Sequence, residues 1–224
     1  IKIKETHHHN YEEFRQAGAD LLRRCFRRQD REKPYLVLLP GGNTPRPLYD
    51  RIAREPVDLA PHLHVGLTDE RHVSPKDPQS NIGMLAPMLD VLGLPEERRL
   101  CVHTARHLRE AADLYDEQLN QFTAAGGMLE LAVLGLGTDG HTCSLFTDED
   151  LERGADRWAI AVERESGVNR ISVTPKLLSR AHRIVFLVSG DDKHDIVRRL
   201  IDAPRETVAG RAVAGANRIE VWWQ

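Results

Sequence analysis

The chain has 224 residues, with 31 Lys and Arg against 34 Asp and Glu, for a net charge of −3. An apolar fraction of 41% and a charged fraction of 29% belong to a globular chain that can bury a core without staples. The near-neutral charge excludes a protein built to coat nucleic acid or an anionic membrane, yet allows a phosphorylated small molecule, which needs only a few local cations. The three cysteines, Cys25, Cys101 and Cys143, include no CxxC pair, which argues against a disulfide framework or zinc ribbon and fits a reducing, cytoplasmic compartment. No apolar run approaches the roughly 18 residues of a membrane span, and the N-terminal residues lack the layout of a secretory leader, so no membrane association is expected.

In chain order, His7, His8 and His9 come first. Three adjacent histidines cannot all face one ion on a helix or strand, so a solvated turn is expected there. Apolar positions recurring at three and four predict a helix from Tyr11 to Gln29. The apolar run Tyr35 to Leu39 then leads through Pro40-Gly-Gly-Asn-Thr-Pro45 into a helical stretch from Arg46 to Arg54. His62 to Leu67 runs into Thr68-Asp-Glu-Arg71 as a loop, and a second long helix is predicted from Leu108 to Ala125. Leu129 to Leu134 leads to Gly135-Leu-Gly-Thr-Asp-Gly-His-Thr142. Two further strands, Trp158 to Glu163 and Arg170 to Val173, are joined by a turn at Ser166-Gly167. The last unit is His182 to Val188, then Ser189-Gly-Asp-Asp192 and a helix from Lys193 to Ile201. Short apolar runs separated by helical patterns predict parallel strands covered on both faces. The fold class is therefore α/β, a mostly parallel sheet flanked by helices. With no Pro/Gly/Ser-rich linker, residues 1–224 form one domain.

Open parallel sheets bind ligands beyond the carboxyl ends of their strands. The loops expected there hold Asn43, Thr44, Asp69, Arg71, Asp139, His141 and Lys193. Gly41 and Gly42 let the backbone approach a ligand, and the following helix presents free N–H groups and its positive end, a setting for phosphate. The same residues also fit a tight turn with Thr44 as N-cap and Pro45 as first helical residue. Gly135 to Gly140 satisfies GxGxxG after a strand, but its third glycine is followed by a loop end rather than a sheet-packed helix, so a dinucleotide cofactor is not expected. His141 is of the type that serves as a general base, and neighbouring Asp139 can fix its tautomer; loop histidines also occur as bystanders. Cys143 fits a small buried filler better than a nucleophile. Arg71, Lys193 and Arg170, at three different strand ends, are candidate cations for an anion, against the usual case of solvated surface charges.

Taken together, Pro40-Gly-Gly-Asn-Thr-Pro45, Thr68-Asp-Glu-Arg71 with Ser80-Asn81, and above all Gly135-Leu-Gly-Thr-Asp-Gly-His-Thr-Cys-Ser-Leu-Phe146 resemble the 6-phosphogluconolactonase family. Asn169-Arg-Ile-Ser172 and Ser189-Gly-Asp-Asp-Lys193 continue the match in order, over about residues 10 to 203. Related glucosamine-6-phosphate deaminases share Asp-Gly-His but have Asp-Glu-Tyr where this chain has Asp-Glu-Arg. The resemblance implies a Rossmann-like sheet on the sugar-phosphate isomerase and deaminase scaffold with no required redox cofactor; separately, no Cys, His and carboxylate set has metal-ligand spacing, so no metal is expected, and no obligate protein partner is evident. It also implies hydrolysis of 6-phospho-D-glucono-1,5-lactone in the oxidative pentose phosphate pathway. In that picture His141, Asp139 and Arg71 are catalytic, while Gly41, Gly42, Asn43, Thr44, Asp69, Asn81, Arg170 and Lys193 hold the phosphorylated sugar lactone. Cys143 stands where the family more often has Ala, Thr147 where it often has Pro, and Arg205 to Gln224 lacks the usual closing pattern. Two other functions use the same scaffold: a deaminase or isomerase, with Asp69 as its available carboxylate base, and a non-catalytic sugar-phosphate sensor.

Overall fold

A computed structural model of the chain describes residues 2–224; Ile1, the first residue of the expected domain, lies outside the described residues. In chain order the elements are β1 (Ile3–His7), α1 (Tyr11–Phe26), β2 (Tyr35–Leu39), α2 (Arg46–Arg54), β3 (Leu63–Leu67), β4 (Asp69–Arg71), α3 (Asn81–Val91), β5 (Arg99–Leu100) and α4 (Leu108–Ala124). The second half adds β6 (Met128–Leu134), α5 (Asp148–Arg153), β7 (Ala159–Val162), β8 (Arg170–Val173), α6 (Pro175–Leu178), β9 (Arg183–Val188), α7 (His194–Asp202), α8 (Val208–Ala212) and β10 (Ile219–Trp223).

Seven strands form one parallel sheet in the order β1-β10-β9-β6-β2-β3-β5. Each of the five β2 residues is buried, because successive side chains enter opposite cores: Leu36 and Leu38 on one face, Tyr35, Val37 and Leu39 on the other. The first core is closed by α4, α7 and α8, the second by α1, α2 and α3. This two-sided burial is why the central strands read as largely apolar runs, broken in β6 only by Glu130. β4, β8 and β7 form a separate antiparallel sheet.

Several elements depart from the sequence expectations. Thr68 to Arg71 is not all loop, since Asp69–Arg71 pairs antiparallel with Arg170, Ile171 and Ser172. The first helix stops at Phe26, three residues short of Gln29. His7 belongs to β1 and lies against Trp223 at 4.3 Å between ring centroids, and His8 is half-buried against Phe14 and Trp222, so of the expected solvated turn only His9 is exposed outside the strand. α3 carries Pro87 inside it, which removes a helical donor and disguises the helix in the sequence. β10, in the segment that lacked the family's closing pattern, fills the place between β1 and β9.

Candidate active site

The chain runs from β2 outward through β3 on one side of the sheet, and from β6 outward through β9 on the other. The loops leaving β2 and β6 therefore diverge at the strand-order reversal, where α/β sheets open a crevice. A cleft of about 210 Å³ lies there, lined from four adjacent strand ends: Gly41 to Thr44 after β2, Asp69 and Arg71 after β3, His141 and Cys143 after β6, and Ser189 and Lys193 after β9. Asn81, at the start of α3, joins them. A larger groove of about 1090 Å³ lies beside α5 and β7, and three of its four arginines are committed: Arg157 to Asp113 at 2.5 Å, Arg109 to Glu163 at 3.4 Å, and Arg153 to the Ala161 carbonyl at 2.5 Å, while Arg164 lies over the Phe146 ring.

His141 Nδ1 lies 2.5 Å from Asp139 Oδ1, which leaves Nε2 as the ring nitrogen not bound to that carboxylate. Asp139 itself is exposed and does not line the cleft; it acts on the ring and on the backbone, accepting also from the His141 N–H at 3.2 Å. Burial raises the Asp139 carboxyl, but the hydrogen bond and charge of His141 outweigh that and hold it below its ordinary value. A Cβ at Gly137 would overlap His141 Nδ1 and Asp139 Oδ1. The second glycine of the GxGxxG pattern is thus required by the close approach of this pair, and no helix follows the third until Asp148.

Asp69 lies in the cleft wall with its carboxylate already engaged. Oδ1 accepts from Thr68 Oγ1 at 3.1 Å, and Oδ2 from Ser144 Oγ at 2.7 Å. The Ser144 N–H donates to Ser172 Oγ at 3.1 Å, so the small sheet clamps the loop that carries His141. Within that loop Cys143 takes φ 53. Burial, then the charge of Asp69, raises its thiol well above the usual range, which argues against a thiolate nucleophile. Neighbouring Glu70 accepts from the backbone N–H groups of Arg71, Asn81 and Ile82 at 2.7 to 2.8 Å, tying β4 to the start of α3. Burial raises the Glu70 carboxyl, and these bonds offset only part of the rise.

Asn81 Nδ2 donates to the Asp69 carbonyl at 2.8 Å, and its Oδ1 crowds Gly41 so closely that a Cβ there would overlap it. Thr44 does not cap α2: Pro45 occupies the N-cap position, no side chain caps the helix, and Thr44 Oγ1 bonds Ser189 Oγ at 2.9 Å. The tight turn expected as the alternative does form at residues 43–45, but the helix that follows begins at Arg46 with no side-chain cap. Lys193 Nζ spends one of its three donors on the Leu136 carbonyl at 3.0 Å. Arg71 Nη1 donates to the Gln79 carbonyl at 2.7 Å, while its Nε is buried without a partner. Arg170 differs from the expected arrangement. It is not among the residues lining the cleft; it faces Arg71 across the β4/β8 ladder, with Nη1 buried and unpartnered. Burial, then the charge of Arg71, lowers its guanidinium pKa. Like charges directly opposed in a ladder destabilise it, and an anion beside Arg71 would relieve that. Among the described residues, no three His, Cys, Asp or Glu side chains gather so as to hold a metal ion.

A family model described as glucosamine-6-phosphate isomerases/6-phosphogluconolactonase matches residues 9–223. The chain belongs to this family. Membership therefore extends through β10, some 20 residues beyond the sequence resemblance. The chain is 33% identical over 199 residues to a 6-phosphogluconolactonase of Haemophilus influenzae, covering 85% of this chain and 84% of that one. It is 39% identical over 163 residues to a 6-phosphogluconolactonase of Synechocystis, covering 70% and 67%. The crystal structure of a 6-phosphogluconolactonase from Thermotoga maritima superposes with a TM-score of 0.73 at 27% identity, over 99% of both chains. Three serines that were not among the expected site residues hold this region together: Ser144 and Ser172 through the Asp69 bond and the small sheet, and Ser189 through Thr44 in the cleft wall. Their signal was position alone, next to the polar strand ends.

Proposed function

We propose that the protein hydrolyses 6-phospho-D-glucono-1,5-lactone to 6-phosphogluconate, the lactone-opening step of the oxidative pentose phosphate pathway, with His141 as general base. The observation that carries this reading is the Asp139–His141 pair at the switch-point cleft. The carboxylate accepts a hydrogen bond from Nδ1–H, which holds that proton on the ring and leaves Nε2 to remove a proton from water. Water then attacks C1, and as the imidazolium forms, Asp139 stabilises it. The Gly41 to Thr44 backbone and Lys193, beside the positive end of α2, receive the phosphate and fix where C1 stands. Arg71 serves either that phosphate or the charge developing on the carbonyl oxygen. Arg170 supports the cationic end from behind the cleft wall.

The deaminase alternative needs a free carboxylate over the sugar carbons, and the Asp69 carboxylate is committed to Thr68 and Ser144. A direct test generates the lactone in situ with glucose-6-phosphate dehydrogenase and follows its loss against the spontaneous rate. Acceleration supports hydrolysis. Ammonia release from glucosamine 6-phosphate, or binding of 6-phosphogluconate without turnover of the lactone, would overturn it.

A further inference from the structure

Asp139 holds His141 by one bond from an exposed side chain, which leaves the imidazole free to pivot about that bond. A second contact limits the pivot: the ring of Phe146 lies 4.4 Å from the His141 ring, tilted by 40°. Phe146 is itself only half-buried, and the guanidinium of Arg164 covers its face at 3.7 Å. Both ends of this stack have fixed backbones. The Phe146 N–H donates to Asp150 Oδ2 at 2.9 Å in the cap of α5, and the Arg164 N–H donates to Asn169 Oδ1 at 2.9 Å at the base of the β7–β8 turn. Glu165, Ser166 and Gly167 in that turn are exposed, yet Arg164 folds inward. Among the described residues its guanidinium makes no hydrogen bond or ion pair, so the ring is its only strong contact, and it does not line the cleft. A cation without a carboxylate partner, spent on an aromatic face beside the catalytic loop, calls for a reason other than surface solvation.

We infer that Arg164 is a positioning residue for the His141 imidazole, acting through Phe146; the inference rests on the reading of His141 as the base. Arg164 clamps the phenyl ring, the ring stops the imidazole from turning away from the cleft, and Nε2 stays aimed at the attacking water. Removing the clamp lowers the fraction of molecules with Nε2 in place, which reduces kcat and leaves the phosphate contacts unchanged.

The test has two readouts on the intact protein. In the first, histidines labelled with ¹³C at Cε1 report the Hε1 resonance of His141, identified by its absence in His141→Asn. The Phe146 ring current displaces that resonance, and it should move toward that of an exposed imidazole in Arg164→Ala and Phe146→Leu but hold in Arg164→Lys. In the second, Arg164→Ala and Arg164→Gln should lower kcat roughly fivefold, the rate equivalent of one cation–π contact, with KM and the Kd for 6-phosphogluconate unchanged and Arg164→Lys recovering most of the loss. An unmoved resonance in Arg164→Ala, a parental kcat, or a loss in binding rather than in kcat would each overturn the inference. Lactone left at its spontaneous rate by the parent, with the resonance still moving in Arg164→Ala, would support the clamp and refute the hydrolase reading.

Discussion

Replacing Asp139 with Asn tests how His141 is prepared for catalysis. The carboxylate accepts from Nδ1 at 2.5 Å and from the His141 backbone at 3.2 Å, and an amide of the same shape keeps the contact but loses the charge that stabilises the imidazolium. Hydrogen bonds to charged groups contribute about 1.5–3 kcal/mol. Because the Asp139 side chain is 62% exposed, solvent screening selects the lower end, about 1.5 kcal/mol, or roughly a tenfold loss of kcat. Removing the base itself, in His141→Ala, should cost about 10²–10⁴-fold. Turnover is read in the dehydrogenase-coupled lactone assay, and calorimetry with 6-phosphogluconate should give near-parental affinity for both variants, since neither side chain is assigned to the phosphate. Asp139→Asn as slow as His141→Ala would refute an orienting role, and a folded His141→Ala with parental turnover would refute the base assignment. The linkage has a definite sign. The folded carboxyl sits below its ordinary value of 3.8, so its stabilising contribution is present above 3.8 and is lost as pH falls through the lower folded value.

Lys193→Ala and Arg71→Ala should each weaken 6-phosphogluconate binding by roughly 10- to 100-fold while hardly altering affinity for unphosphorylated gluconate; equal losses for both ligands would remove these residues from a phosphate site. Glu70→Gln places an amide NH₂ among the N–H donors of Arg71, Asn81 and Ile82 and should cost about 1–3 kcal/mol in urea unfolding at neutral pH. Because burial raises the folded Glu70 carboxyl above 4.5, its part of the stability is full below 4.5 and declines as pH rises through the folded value. The variant should lack that component, and a parental pH dependence would show that Glu70 is not its source. Gly137→Ala drives a methyl into the Asp139–His141 pair and should lower kcat far more than it lowers affinity for 6-phosphogluconate; parental kcat would mean that the pair has room to move aside.

The sequence by itself determined the α/β class, the central strands and the four polar loops at their carboxyl ends. Strands covered on both faces are dominated by apolar residues, and β2 is such a run throughout, as are β6 apart from Glu130 and β9 after Arg183. Asp139 beside His141 was legible for the same local reason, since two residues two positions apart in a tight loop meet whatever the rest of the chain does. Tertiary structure alone decided the partners drawn from distant segments. Strand order brings the β2 and β6 loops together, although they are some 90 residues apart, and no local spacing encodes that. The antiparallel β4/β8 pairing sets Arg71 opposite Arg170, and so places one guanidinium in the cleft wall and the other outside the lining. The Asp69 carboxylate, a candidate base in the sequence, accepts from Ser144, 75 residues away. Arg164, an ordinary surface charge by its local context, acquired a neighbour in Phe146 only through the fold. Backbone conformation and burial pattern follow from residues close in the chain, whereas the occupancy of a donor or acceptor depends on what the remainder of the chain places beside it.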